Sequence, residues 1–225
     1  MRPVPPPLDR PEAGRPAALL LDLDGTLVDS EPLHRRGYRA FLDSRGWDVP
    51  DLSVFTGRRA EDVFAAEPGP WAGLDPHALL AEVLTHVPDE AAVAVQGARD
   101  LVLAARAAGI RLAIVTSAGP AWVERSLVES LGLSLDAVDT VVTARDVVDG
   151  KPDPAGYALA AVRMRVDPTL ALAVEDSPAG VLAALGAGVR HVHGIRTTHP
   201  TALLAEAGAV EVHADLRPLV GLVSR

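Results

Sequence analysis

Cysteine is absent from this 225-residue chain, so disulfides, thiolate zinc sites and cysteine nucleophiles are all excluded. Lysine is almost absent too: Lys151 stands alone, and every other fixed cationic side chain is an arginine. The formal net charge of −9 offers no basic face for counterion release, which argues against nucleic acid or an anionic membrane as a partner. An anionic small molecule would need positive charge gathered locally. Aromatic residues make up only 4% of the chain. Trp47, Trp71 and Trp122 are too scattered for a carbohydrate-stacking platform and read as packing residues. Long apolar runs are missing as well. The first, Ala17 to Leu21, is short and ends in an acid, so neither a signal peptide nor a membrane span is expected and a cytoplasmic location is favoured.

What is present is a regular alternation of elements. Prolines at 3, 5, 6, 7, 11 and 16 give residues 1–16 the composition of a disordered, partly polyproline tail. Beyond Val95, helices at Gly97 to Ala108, Pro120 to Leu131, Pro154 to Arg165 and Pro178 to Leu185 alternate with strands. The strands are expected at Arg111 to Val115, Val138 to Thr143, Thr169 to Val174, Val189 to Val192 and Val210 to Ala214. Such alternation specifies right-handed crossovers and a doubly wound, Rossmann-like α/β core with a parallel sheet covered on both faces. Residues 30–94 interrupt the rhythm: they show no convincing strand and three helical stretches, His34 to Ser44, Arg59 to Ala66 and Pro76 to Val83. A helical cap over 30–94, inserted into a core of residues 17–29 and 95–225, is the expected organisation.

The most informative stretch is Leu21-Asp22-Leu23-Asp24-Gly25-Thr26. Residues i and i+2 of a strand share a face, so Asp22 and Asp24 converge where the chain leaves the sheet. Two like charges that close need a cation or a shared proton. A calcium loop is excluded, because the twelfth position counted from Asp22 is Leu33 and not a glutamate. Ligands of open parallel sheets bind at the carboxyl ends of strands, and there the other expected strands supply Thr116-Ser117, the Gly150-Lys151-Pro152 loop and Glu175-Asp176-Ser177. Lys151, a compact point charge, suits a crowded site between phosphate and carboxylate.

Asp22-Leu23-Asp24-Gly25-Thr26, Thr116-Ser117, Lys151-Pro152-Asp153-Pro154 and Glu175-Asp176-Ser177-Pro178-Ala179-Gly180 resemble, in order and spacing, the four motifs of the haloacid dehalogenase-like superfamily. That resemblance spans about residues 17–216. It implies that Asp22 is the nucleophile and Asp24 the general acid and base. It further implies Mg²⁺ held by Asp22, Asp176 and the main-chain carbonyl of Asp24. Thr116, Ser117 and Lys151 would bind the phosphoryl group, with Lys151 neutralising charge as it transfers. Glu175 would stand behind the metal ligands or add a contact to the ion. The insertion resembles the cap of the phosphoglucomutase-like and sugar-phosphatase branch, with Val28 to His34 as its linker and Thr56 to Asp62 as its substrate-facing loop. His34, Arg58 and Arg59 are therefore candidates to touch substrate, though at most one of the two arginines can face inward if the segment is extended.

The implied function is a Mg²⁺-dependent phosphatase for a small phosphorylated sugar or polyol, and nothing demands more than a monomer. The alternatives are a phosphosugar mutase and a catalytically silent binding module. Ala118-Gly119-Pro120 stands where the mutase pattern carries polar phosphate-binding residues, and the intact acid and lysine set speaks against the silent module. A dehalogenase would lack the acid at Asp24. His191, His193 and His199 read as structural, since no matched acids accompany them in the sequence. Gly186-Ala187-Gly188 follows a helix and reads as its C-terminal cap rather than a dinucleotide fingerprint.

Overall fold

The structure, a computed structural model, describes residues 15–224, so nearly all of the expected proline-rich tail lies outside the described residues. In chain order the first part comprises β1 (Ala18–Leu21), β2 (Val28–Asp29), α1 (Glu31–Ser44), α2 (Ala60–Ala66), α3 (Pro76–His86) and β3 (Val93–Ala94). Then follow α4 (Ala98–Ala107), β4 (Arg111–Val115), α5 (Pro120–Arg125), β5 (Thr140–Val142), α6 (Ala155–Met164), β6 (Ala171–Glu175) and α7 (Pro178–Gly186). The chain closes with β7 (His191–Ile195), α8 (Thr201–Glu206), β8 (Glu211–His213) and α9 (Arg217–Val223).

Six strands form a parallel sheet in the order β5-β4-β1-β6-β7-β8. The central strands β1, β4 and β6 are apolar apart from Arg111 at the start of β4 and Glu175 at the end of β6, and strand alternation divides their apolar residues between two cores. Leu19, Leu21, Leu112, Ile114, Leu172 and Val174 face one core with Leu101, Val102, Leu219 and Val223 of α4 and α9. Ala18, Leu20, Ala113, Val115, Ala171 and Ala173 face the other with Tyr157, Met164, Val181 and Leu204 of α6, α7 and α8. The expected doubly wound core is therefore present.

The helical insertion has a core of its own. All three phenylalanines, Phe41, Phe55 and Phe64, pack with Trp71, Leu79 and Val83 of the same segment. Edge-to-face contacts of 5.3 to 5.6 Å join Phe55, Phe64 and Trp71, and the Trp71 indole N–H donates to the Glu67 carbonyl at 3.0 Å. Concentrating the scarce aromatics here gives a short segment enough apolar area to hold together as a unit.

Four local expectations need correction. The insertion is flanked by strands after all: β2 pairs antiparallel with β3, Val28 opposite Ala94, and this two-stranded ribbon ties the entry and exit of the cap together. Two residues per strand are too few for a periodicity to register. The stretch Pro120 to Leu131 is an α-helix only to Arg125, and Ser126–Ser130 continue as a π-helix. The strand expected at Val189 to Val192 runs later, at His191–Ile195, because Val189 belongs to the turn after α7 and its N–H donates to the Ala184 carbonyl. The strand expected from Thr169 begins at Ala171, after a 3₁₀ turn at Pro168–Leu170.

Candidate active site

Asp22 follows directly on β1, and its N–H donates to the Val174 carbonyl at 3.1 Å, so the sheet ladder itself fixes its position. Its two carboxylate oxygens differ. Oδ1 accepts from Lys151 Nζ at 2.5 Å, while Oδ2 is buried and without a hydrogen-bond partner. Lys151 reaches Asp22 from the loop before α6 and donates also to Glu175 Oε1 at 2.5 Å. Burial disfavours its ammonium, but the carboxylates of Asp22 and Glu175 outweigh burial and hold it above the ordinary lysine value.

Glu175, the last residue of β6, is fully buried. Its Oε1 also accepts from the Tyr157 hydroxyl at 2.6 Å, and its Oε2 accepts from the Asp176 N–H and the Ser177 hydroxyl at 3.2 Å each. This carboxylate is occupied by its own neighbours and acts as the clamp that aims Lys151. Tyr157 was not legible as part of this group. It lies on α6, six residues after the lysine, in a stretch that reads simply as an apolar helix.

Asp176 completes the acidic cluster, with ligand oxygens of Asp22, Glu175 and Asp176 all within 4.8 Å of one another. Thr198 donates its hydroxyl to Asp176 Oδ2 and to the Asp176 carbonyl, and Thr197 donates to the Gly25 carbonyl. Gly25 is required on two counts: its φ is +83°, and a Cβ there would lie 2.0 Å from Asp176 Oδ2. At Gly180 in α7 a Cβ would fall 1.9 Å from the Glu175 carboxylate. The glycines of the first and fourth motifs thus make room for the acids.

Asp24 is held through both oxygens. Oδ1 accepts from the Ser30 hydroxyl at 2.6 Å and the Trp122 indole N–H at 2.8 Å, and Oδ2 is 3.4 Å from the Thr116 hydroxyl. Trp122 is therefore more than a packing residue; its indole is aimed at the second acid of the motif. Thr116 accepts from the Ala118 N–H at 2.9 Å, which sets its rotamer. Ser117 is half-buried and lines the space between Arg59 and Lys151.

Electrostatics follow from burial and like charge. Burial raises the Asp22 carboxyl from 3.8 to about 7, against the Lys151 charge that lowers it and with Glu175 adding to the rise. Asp176 is likewise pushed well above the ordinary value, by burial and then by Asp22 and Glu175. Such a cluster favours a cation or a proton. Its donors are all oxygens, one of them buried and unpartnered, which fits a hard divalent ion.

The cap meets the core over this rim. A Cβ on Gly57 would lie 2.8 Å from the Ser177 Cβ, so the cap loop touches the start of α7. Between them lies a cavity of about 470 Å³. Asp24, Ser117, Trp122, His34 and Arg59 line it, with Leu80, Val83 and Leu84 of α3 as an apolar wall. The two cap arginines diverge. Arg59 is buried, lines this cavity and donates to the Val148 carbonyl at 3.2 Å, whereas Arg58 turns to Glu67 of the cap at 2.6 Å. His34 faces the cavity with its ring 5.5 Å from that of Trp122.

Four motif segments on the carboxyl rim of a doubly wound sheet, beneath an inserted helical cap, define a capped hydrolase of the haloacid dehalogenase type. The chain belongs to that family: the haloacid dehalogenase-like hydrolase description matches residues 16–188. It is 41% identical over 193 residues to validoxylamine A 7'-phosphate phosphatase of Streptomyces hygroscopicus subsp. limoneus, covering 84% of this chain and 89% of that one. It is 35% identical to hexitol phosphatase A of Escherichia coli (strain K12), covering 85% and 88%. Among solved structures it is similar to a CbbY mutant from Rhodobacter sphaeroides in complex with xylulose-(1,5)bisphosphate. That likeness has a TM-score of 0.76 and 26% identity, and covers 89% of this chain and 94% of that one. Among the described residues no helix is long and apolar enough to cross a membrane.

Proposed function

We propose that the chain is a Mg²⁺-dependent phosphatase that hydrolyses a small phosphorylated sugar or polyol through an aspartyl-phosphate on Asp22. The observation that carries this reading is the divided environment of Asp22, with one oxygen pinned by Lys151 and the other buried and unpartnered. The similarity to phosphatases of a validoxylamine phosphate and of hexitol phosphates supports the substrate class. The same reading makes it a cytoplasmic monomer that acts on a metabolite without nucleic acid or membrane partners.

In this mechanism the free oxygen of Asp22 attacks phosphorus while the bond to the alcohol breaks. Asp24, protonated, gives its proton to the departing alkoxide. It then takes a proton from the water that attacks the phosphoryl-aspartate, releasing inorganic phosphate and restoring the Asp22 carboxylate. Lys151 offsets the charge on the transferring group, and Thr116 and Ser117 offer hydroxyls to its oxygens. Asp22, Asp176 and the Asp24 main-chain carbonyl are the residues that would hold Mg²⁺, with Glu175 behind them. The ion, when bound, lets an anionic carboxylate approach an anionic phosphate. Arg59 and His34 bind the part of the substrate that extends into the cap.

The test is a phosphate-release screen over sugar, polyol and glycerol phosphates, phosphoglycolate and nucleotides, with Mg²⁺ and with chelator. Turnover of sugar or polyol phosphates that needs Mg²⁺ is expected, and Asp22→Asn should abolish it with the fold intact. Residual activity of Asp22→Asn above about one per cent excludes Asp22 as a covalent nucleophile.

A further inference from the structure

The histidine pair on β7 acquires an acid and a further histidine from the neighbouring strand β8. β7 and β8 pair in parallel with His193 opposite Glu211 and Ile195 opposite His213. Because alternate residues share a face, His191 and His193 of β7 and Glu211 and His213 of β8 all point to the side of the sheet that carries Ile195 and α9. The matched acid that is missing beside the His-x-His in the sequence is thus Glu211, eighteen residues after His193.

The atoms converge. His193 Nδ1 lies 3.0 Å from His213 Nε2, and that same Nε2 lies 3.5 Å from Glu211 Oε2. One ligand atom from each of the three falls within 4.8 Å of the others. A tetrahedral zinc ion with bonds of about 2.0–2.1 Å sets its donor atoms roughly 3.3 Å apart, between the two separations seen. His193 is buried, with its ring turned toward His213. The group opens onto a cavity of about 500 Å³ that also touches His191 and residues of α9. None of its lining residues belongs to the cap cavity. Glu211, opposite His193 on β7 and two residues before His213 on β8, sets its carboxylate against the same nitrogen that meets the His193 ring.

We propose that His193, Glu211 and His213 form a binding site for an imidazole-preferring divalent transition ion of the zinc class, separate from the phosphatase site. His191 stands on the same face of β7 and lines the same cavity. Two imidazoles and a carboxylate suit such an ion and not Mg²⁺, which takes oxygen ligands and keeps its waters. With no cysteine in the chain, no thiolate competes for it. Two of the three ligands belong to β8, the three-residue edge strand that ends the sheet, so the ion would fasten that strand to β7.

The test is calorimetric titration of zinc into the metal-free full chain with Mg²⁺ in excess. It is paired with histidine-ring NMR and with thermal melts with and without zinc. The expected result is one zinc per chain, perturbation of the His193 and His213 ring signals, and a raised melting temperature. His213→Ala should weaken zinc binding by at least about tenfold, while Mg²⁺-supported phosphate release stays at the wild-type level. Glu211→Gln, at an exposed side chain where folding is not at stake, should weaken it in the same direction. Asp22→Asn should bind zinc as the wild type does, which separates this site from the acidic cluster. Absence of zinc uptake, uptake unchanged in both His213→Ala and Glu211→Gln, or uptake lost in Asp22→Asn overturns the proposal.

Discussion

The indole N–H of Trp122 donates to Asp24 Oδ1 at 2.8 Å, across 98 residues of sequence. The ring comes from α5, and with Ser30 and Thr116 it fixes the carboxylate proposed to shuttle the proton. Trp122→Phe keeps the apolar bulk and removes the donor. A hydrogen bond to a charged group contributes about 1.5–3 kcal/mol, so alkyl phosphate turnover should fall by roughly ten- to a hundredfold. The loss should be smaller on p-nitrophenyl phosphate, whose leaving group needs little protonation. Steady-state kinetics on both substrates check this; equal losses would assign Trp122 to packing alone.

Lys151 sits between Asp22 and Glu175 with its ammonium 2.5 Å from an oxygen of each, and 5.5 Å from the centre of the Tyr157 ring. The space admits a compact cation. A guanidinium keeps the charge but is wide and planar, so Lys151→Arg should displace one of the carboxylates. We expect kcat to drop by at least about a hundredfold, the scale of losing one charge-stabilising donor. A fully active arginine variant would show that Lys151 acts only as a remote charge.

Much of this site is legible in the sequence because three motifs lie where a β-strand ends and the Lys151 motif lies in the Gly- and Pro-marked loop between β5 and α6, and strand ends are marked by apolar runs giving way to Gly, Pro or acids. Asp22, Lys151, Glu175 and Asp176 meet for that reason. Trp122, Tyr157 and Thr198 were not legible, since each reaches the rim from a helix or loop whose orientation depends on tertiary packing. The ribbon of β2 and β3 is not legible in the sequence because two residues per strand carry no period. The choice between Arg58 and Arg59 turns on local backbone direction: Arg59 N-caps α2 with extended φ and ψ and points to the core loop, while Arg58 finds Glu67 at the other end of the same helix.

Chelation and pH should interact in a defined direction. Asp22 titrates at about 7 in the metal-free fold against an ordinary 3.8, so folding takes up a proton between those values. The stability carried by the protonated form is present at acid pH and is lost as pH rises through about 7. Mg²⁺ requires the ionised carboxylates, so its stabilising effect should grow over the same interval. Melting curves of chelated and Mg²⁺-loaded protein between about pH 5 and pH 8 should diverge with rising pH, and Asp22→Asn should remove most of the divergence. Parallel curves would place the ion elsewhere.

The last prediction joins the cap arginines to the choice between water and a second sugar as phosphoryl acceptor. Arg59 is buried against the core loop and lines the cavity that Asp24 and Ser117 also line, whereas Arg58 is spent on an ion pair with Glu67. Arg59→Ala should therefore impair turnover of the sugar or polyol phosphate by about tenfold or more while sparing p-nitrophenyl phosphate, whose contacts lie mainly with the core. Arg58→Ala should leave both near the wild-type level, as expected for a half-exposed pair. Ser117, Ala118 and Gly119 border the same cavity, and the last two offer no side-chain donor for a second phosphate. The enzyme should then release inorganic phosphate from glucose 1-phosphate or a hexitol phosphate without a bisphosphate activator. A phosphorus NMR time course on glucose 1-phosphate with catalytic glucose 1,6-bisphosphate decides the point. Free phosphate should accumulate, and glucose 6-phosphate in its place would convert the phosphatase into a mutase that uses the same Asp22 and Asp24.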